Sequence, residues 1–332
     1  MIDPRHARRL LFLRTDRLGE TLLNLPAITA LKRALPRASL TLVVHPELES
    51  LMSSMPGIDC VLPSPQDPAA RWWLRAGRLG RLLRRQRFDV ALVSNPKKEL
   101  HLAVWLAGIP MRVGYARKWG WLLTHRLPDE KALGERHEVE YNLDLIRALG
   151  LPVSVTPFQI PRFVIEEADV LQLIEQQGVQ SSEPFLVVHP WTSNPVKQWP
   201  LDRYRRLIQE IVERLHMPVV LVGGQEERQR VTEVLPPGLP VADLVGRVTL
   251  KQLAALLQHA RALISNDSGP MHLATALGTP TIALFGTKDA ATGPRRWGPW
   301  GDGHVVIWKP SMEAIRVDDV IEALKERFTH IR

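Results

Sequence analysis

The sequence predicts an α/β protein made of two domains, each with a parallel sheet. Three observations carry this. The chain has 332 residues, and at about 100–200 residues per domain that length suggests two. Short apolar runs alternate with amphipathic stretches, which is the signature of βα units. Between two such blocks lies Leu149–Phe163, with three prolines and little periodicity, which reads as an extended crossing or linker.

In the first block, strands are expected at Leu10–Leu13, Leu40–Val44 and Val90–Val93. Their helical partners are expected near Glu20–Leu35, Trp72–Arg85 and Leu100–Leu106. Pro26 interrupts the first helical pattern and predicts a kink or a restart. In the second block, strands are expected at Phe185–Val188, Val219–Val222, Ala262–Ser265 and Thr281–Phe285. Helices are expected at Leu201–Leu215, Glu226–Val234, Leu250–His259 and Pro270–Leu277, and a last amphipathic segment spans Val317–Phe328. Ligands of such sheets bind at the carboxyl ends of the strands.

Composition narrows the class. Hydrophobic residues make up 45% and charged residues 23%, which excludes disorder as the main state. No short repeat supports a collagen or a coiled coil. The N-terminus has only four consecutive apolar residues, Leu10 to Leu13, against the roughly 7–15 of a signal peptide. No apolar run approaches the ~18 residues of a membrane span, so a soluble, cytoplasmic protein is expected. Cys60 is the only cysteine, so no intramolecular disulfide and no CxxC metal motif can form. The absence of HExxH also argues against zinc.

The formal net charge is +8, unevenly spread. Residues 1–165 carry 25 basic and 15 acidic side chains, whereas residues 166–332 carry 18 and 20. The basic half suits an anionic partner: nucleic acid, a membrane face or an acidic substrate. Its densest run is Arg71–Arg87, where Arg71, Arg75, Arg78 and Arg85 fall near one helical face without a compensating acid. Trp72, Leu79, Leu82 and Leu83 are available there to pack.

Four segments carry candidate chemistry. In Ala262–Gly286 a strand turns sharply into a helix at Asn266-Asp267-Ser268-Gly269. A helix N-terminus offers unpaired N–H groups and partial positive charge to a phosphate, and Gly269 permits close approach. The plainer alternative is that Asp267 or Ser268 merely caps the helix. His272 follows at the start of that helix, positioned to brace the turn or touch a ligand. In Val187–Pro200, Thr192 and Ser193 offer hydroxyls and Lys197 a point charge for phosphate. A solvated lysine, with Trp191 and Trp199 as packing residues, is the alternative there.

In Leu10–Ile28, a turn with Asp16 and Gly19 leads to Glu20, either a general base or a favourable first-turn acid. In Val220–Arg230, Gly223 and Gly224 allow close backbone approach, and Glu226 could accept from a ribose; an ordinary βα turn is the alternative. The chain lacks GxGxxG and GxxxxGK[ST], which argues against a dinucleotide oxidoreductase and a P-loop NTPase.

Taken in order, RTDRLGETLLNLPAI, HPWTSNPVKQWP, LVGGQEE and the long segment ending ISNDSGPMHLATALGTPTIALFG resemble glycosyltransferase family 9, the ADP-heptose:lipopolysaccharide heptosyltransferases. The resemblance covers nearly the whole chain. It implies a GT-B fold, two Rossmann-like domains facing across a cleft. Residues 1–160 would bind the acceptor and 161–332 the nucleotide sugar, with the last helix free to pack back on the N-terminal domain. It implies an inverting transferase with no cofactor and no metal at the reacting centre. The ADP-sugar is a substrate, and the acceptor is the phosphorylated lipopolysaccharide inner core, which suits the basic half.

Residue by residue, the resemblance implies Glu20 as the base, in a position where the family carries Asp, with Asp16 as the fallback. Lys197, from a loop one residue longer than the family's, would hold phosphate with Thr192 and Ser193. Asp267, Ser268 and Gly269 match the family's DSG turn, His272 its following histidine, and Glu226 beside Gly224 its ribose glutamate. Arg71, Arg75 and Arg78 are the acceptor-binding candidates. The expected partners are ADP-heptose or a similar nucleotide sugar, the lipopolysaccharide core and, peripherally, the inner membrane, with no nucleic acid. Two other classes remain: a sugar-nucleotide epimerase on this scaffold, turning over donor without acceptor, and a non-catalytic anion- or nucleic-acid-binding protein.

Overall fold

The computed structural model describes residues 3–154 and 160–327. The chain divides into two units, Met1–Pro161 and Arg162–Arg332. The first contains strands β1 Arg9–Leu13, β2 Ser39–Val44, β3 Cys60–Pro63, β4 Val90–Val93, β5 Met111–Tyr115 and β6 His125–Leu127. They pair in the order β3-β2-β1-β4-β5-β6, all parallel. The second contains β7 Leu186–His189, β8 Val219–Leu221, β9 Val241–Asp243, β10 Ala262–Asn266, β11 Thr281–Gly286 and β12 Val305–Lys309. Its order is β12-β11-β10-β7-β8-β9, again parallel. Counted within its own unit, each sheet has the doubly wound order 3-2-1-4-5-6.

The central strands are continuous apolar runs because helices cover both faces of a parallel sheet. Leu10 to Leu13 and Val90 to Val93 are fully buried. Around them pack Leu79 and Leu83 of helix Trp72–Arg84, and Leu100 and Val104 of helix Lys98–Leu106. Pro26 acts as a restart. A short helix, Leu18–Leu22, ends, and a new one, Leu25–Ala34, begins with Pro26 in its first turn, where a missing N–H is harmless. In the second unit, Trp199 stacks edge-on against Tyr204 at 4.7 Å and donates its indole N–H to the Ile315 carbonyl at 3.0 Å. Trp191 and Trp199 are core residues, as the packing alternative held.

Several expectations need correction. The segment expected as helix Glu226–Val234 is a 3-10 helix, Gln225–Arg230, followed by one α turn, Val231–Val234. Leu82 faces solvent rather than the core. Helix Val317–Arg327 packs on β11, β12 and helix Leu201–Arg214 of its own unit, through Val320, Ile321 and Leu324. It is part of that core. Phe328 and residues 155–159 of the expected linker lie outside the described residues. Strands β3, β5, β6, β9 and β12 and helices Glu138–Arg147 and Val164–Glu175 had no counterpart in the sequence reading.

Candidate functional site

In an open parallel sheet the connections diverge where the strand order reverses, leaving a crevice at the carboxyl ends of the two central strands. Here those pairs are β1 with β4 and β7 with β10. The candidate segments fall at both: Asp16–Glu20 after β1, and the Thr192–Lys197 and Asp267–Gly269 turns after β7 and β10.

At the second unit's crevice, Lys197 Nζ forms an ion pair with Asp267 Oδ2. Asp267 Oδ1 lies 3.7 Å from His272 Nε2. Asp267 is 7% exposed and the Lys197 side chain 28%, so the lysine is the half that faces outward. Burial alone would raise the Asp267 carboxyl, but the His272 ring and the Lys197 ammonium outweigh it and hold it below the usual range. The capping alternative fails. Ser268 is the N-cap of helix Gly269–Ala276, yet no side chain caps that helix. The first-turn N–H groups, of Gly269 and Met271 since Pro270 has none, therefore have no capping side chain. A pocket beside the pair is lined by Asn194, Lys197, Asp267, Gly286, Thr287 and Thr292 among others.

Two residues of these motifs, to which the sequence alone assigns no role, hold the arrangement. Asn266 is fully buried and clamps the two loops: its amide donates to the Pro190 carbonyl at 2.7 Å and its oxygen accepts from Trp199 N–H at 3.1 Å. His189 sits at the end of β7, its Nδ1 3.3 Å from both Ser265 Oγ and Ser268 Oγ, which lie 2.8 Å apart. Burial pulls its pKa down to about 4, so the ring is neutral at pH 7. The Ser-Asn pair recurs at the other crevice. After β4, Ser94 Oγ donates to the Leu13 carbonyl at 3.3 Å, and Asn95 donates to Asp16 Oδ1 at 2.9 Å. The repeated dipeptide was the available signal.

Asp16 is enclosed by cations. Lys97 Nζ lies 2.5 Å from Oδ1, and Arg14 Nε lies 3.2 Å from Oδ2. Burial would raise its pKa, but Arg14 and Lys97 outweigh that and lower it. A carboxylate so held is a poor proton acceptor and a good anchor for the turn. Glu20, in the first turn of helix Leu18–Leu22, is half-buried and has no side-chain partner among the described residues.

The other candidates are more scattered. Glu226 and Gly224 are exposed after β8, and Glu226 has no partner among the described residues. The close approach expected at Gly223 is to the protein itself: a Cβ there would lie 2.7 Å from the Trp191 ring. Thr192 Oγ1 accepts from Asn194 N–H at 3.3 Å, while Ser193 is exposed. In the basic helix the missing acids come from outside the run. Arg75 pairs with Glu99 at 3.1 Å and Arg78 with Asp67 at 2.7 Å, while Arg71 is exposed. Arg75 lines a pocket at the carboxyl ends of β1 to β4, with Thr15, His45, Ser64 and Lys97.

Among the described residues, no three His, Cys, Asp or Glu gather in a group fit to hold a metal ion. Among them, too, no helix is long and apolar enough to cross a membrane.

Known proteins share these features. The family described as glycosyltransferase family 9 (heptosyltransferase) matches residues 76–322. Lipopolysaccharide heptosyltransferase 1 of Pseudomonas aeruginosa is 30% identical, over 90% of this chain and 82% of its own length. A family 9 glycosyl transferase from Veillonella parvula superposes with a TM-score of 0.87 at 20% identity, covering 99% of each chain. E. coli heptosyltransferase WaaC, solved with ADP-2-deoxy-2-fluoro heptose, superposes with a TM-score of 0.74 at 21% identity, over 96% of this chain and 99% of its own. With two doubly wound units and the family's motifs at both crevices, the chain is a member of glycosyltransferase family 9, an enzyme of glycosyl transfer with the GT-B fold.

Proposed function

We propose that this enzyme moves a heptose from ADP-heptose to the lipopolysaccharide inner core, in one displacement that inverts the anomeric carbon. The observation that carries the reading is the outward-facing Lys197, paired with a buried carboxylate beside an uncapped helix N-terminus. That combination suits a diphosphate: a point charge for its oxygens, and amides with partial positive charge beside them. Relatives named for heptose transfer to lipopolysaccharide, and a structural neighbour that holds an ADP-heptose analogue, support the donor and acceptor classes.

In this reading the acceptor hydroxyl oxygen attacks the anomeric carbon and its proton passes to Glu20. The bond from that carbon to the diphosphate oxygen breaks, and ADP leaves with the electron pair. Lys197, the Thr192 and Ser193 loop and the amides of Ser268 and Gly269 offset the charge growing on the diphosphate. Asp267 keeps Lys197 aimed and orients sugar hydroxyls, His272 braces Asp267, and Glu226 receives the ribose. Glu20 replaces the family's Asp with one more methylene, and its lack of a competing cation, in contrast to Asp16, supports it as the base. Arg71, Arg75 and Arg78 border the acceptor's phosphates. The enzyme needs no metal or cofactor at the reacting centre, and works at the cytoplasmic face of the inner membrane, where its lipid acceptor is made.

The test is calorimetric titration with ADP, UDP and GDP, joined to turnover of Glu20→Gln. ADP-selective binding is expected, with turnover down about 10²–10⁴-fold and ADP affinity unchanged in the variant. Selective UDP binding would overturn the donor. Full turnover by Glu20→Gln would overturn the base. Donor consumption without acceptor would point to epimerase chemistry.

A further inference from the structure

The N-terminal unit contains five of the chain's ten tryptophans and buries none of them fully. In the second unit Trp191 and Trp199 are core residues, and Trp308 is exposed. All five lie on helices Trp72–Arg84 and Lys98–Leu106, which pack together, or at the turn Gly120–Leu122, which packs on the second of them. Trp72 meets Trp119 edge-on with ring centroids 5.0 Å apart, and Trp119 lies 5.9 Å from Trp121. On the second helix, Lys98, Leu102 and Trp105 follow at i, i+4 and i+7, one stripe of its outer face. Trp73, Trp105 and Trp121 are 46%, 49% and 66% exposed, and Leu74 and Leu106 are exposed with them.

The unpaired charge beside these tryptophans is positive. Lys98 Nζ sits 4.3 Å above the Trp72 ring, and Arg71 and Lys118 flank the tryptophans in sequence. None of these three cations has a carboxylate within ion-pair distance among the described residues. The adjacent acids, Glu99 and Asp67, are taken by Arg75 and Arg78. An exposed apolar area of this kind marks an interaction surface. Tryptophan favours the headgroup level of a bilayer, and lysine and arginine favour the negative surface potential of anionic lipids.

We propose that this face docks the enzyme on an anionic phospholipid bilayer, with the indole rings and leucines at headgroup depth and the free cations against lipid phosphates. A second copy of the chain is a poorer occupant, because a two-fold interface would set these cations against one another. Nucleic acid would use the indole rings and the cations but leave Leu74 and Leu106 in water, whereas a bilayer takes up all three. The inference deepens the membrane-surface part of the proposed function. It is separable from the chemistry: vesicle binding and sugar transfer are read independently.

The test is flotation of the full chain with vesicles of phosphatidylglycerol and phosphatidylethanolamine (3:7), against pure phosphatidylcholine, at low and high salt. Binding is expected only to the anionic vesicles and should weaken with salt. The double variant Lys98→Ala/Lys118→Ala should lose roughly 30-fold in affinity. Trp105→Ser/Trp121→Ser should lose about tenfold or more. Ile165→Ser, which removes an exposed apolar side chain from the second unit, should bind as the parent does. Far-ultraviolet circular dichroism and thermal melts like the parent's in all three confirm that they fold. Parent protein that ignores anionic vesicles overturns the proposal, as does undiminished flotation of the tryptophan variant. So do a parent dimer that the tryptophan variant alone disrupts without vesicle binding, and oligonucleotide binding that displaces vesicles.

Discussion

Replacing Lys197 by methionine removes one charge while keeping most of the apolar stem. Asp267 is then left with the His272 ring, 3.7 Å away, as its remaining partner. Removing one partner of a fully buried pair destabilises by about 3–5 kcal/mol. Lys197 is 28% exposed, so solvent screens part of the pair and the expected loss is about 1–3 kcal/mol. In a unit of this size, that lowers Tm by about 2–12 °C. The pH dependence gives the cause. Asp267 has a lowered pKa in the folded chain, so its stabilisation is present above the ordinary value of 3.8 and lost as pH falls through the folded value. The Tm gap between parent and variant should therefore be open at pH 7.5 and close as the carboxyl protonates. The lost charge-assisted hydrogen bond to phosphate should weaken ADP by about 10–150-fold, toward the lower figure because Asp267 shares the lysine. Scanning calorimetry across pH, with ADP titration at pH 7.5, reads both. A Tm gap of equal size at every pH, or ADP affinity unaltered by the substitution, would refute the reasoning.

Asn266→Ala leaves the Trp199 N–H and the Pro190 carbonyl without their partner, so a loss of about 2–4 kcal/mol and weaker ADP binding are expected from denaturant melts and titration. An intact ADP site in that variant would show that the clamp does not shape the loops. His189 is held neutral with a pKa of about 4, below its ordinary 6.5, so the unfolded chain takes up its proton first and stability falls as pH drops from 6.5 toward 4. His189→Gln should flatten that slope in a Tm-against-pH series. Gly223→Ala forces a methyl to 2.7 Å from the Trp191 ring and should cost about 1–3 kcal/mol without changing turnover chemistry.

Which parts of this molecule were legible in the sequence follows from where each residue sits. Strands β1, β2, β4, β7, β10 and β11 lie inside their sheets, and their apolar runs announce them. Edge strands β3 and β12 are half-exposed and carry mixed residues, so neither run nor alternation stands out. Helix Val164–Glu175 begins with exposed Val164 and Ile165 and buries only Val170 and Ile174, which blurs its periodicity. Lys197 and the Asp267–Gly269 turn were visible as local motifs beside strand ends. The roles of Asn266 and His189 in those same motifs were not, because their hydrogen bonds join loops 67 to 79 positions apart. The arginine helix misled for the same reason: Glu99 balances Arg75 from 24 positions away.

Each unit completes its sheet from its own stretch of chain, and the first borrows no strand from beyond Leu127. Synthesis runs from the N-terminus at about 5–20 residues per second, so the ribosome needs roughly 10–30 s more to reach Arg332 once Pro161 has been added. The basic unit can therefore be a folded body while the second is still being made. Its tryptophan face would be exposed during that interval, on a nascent chain still tethered to the ribosome.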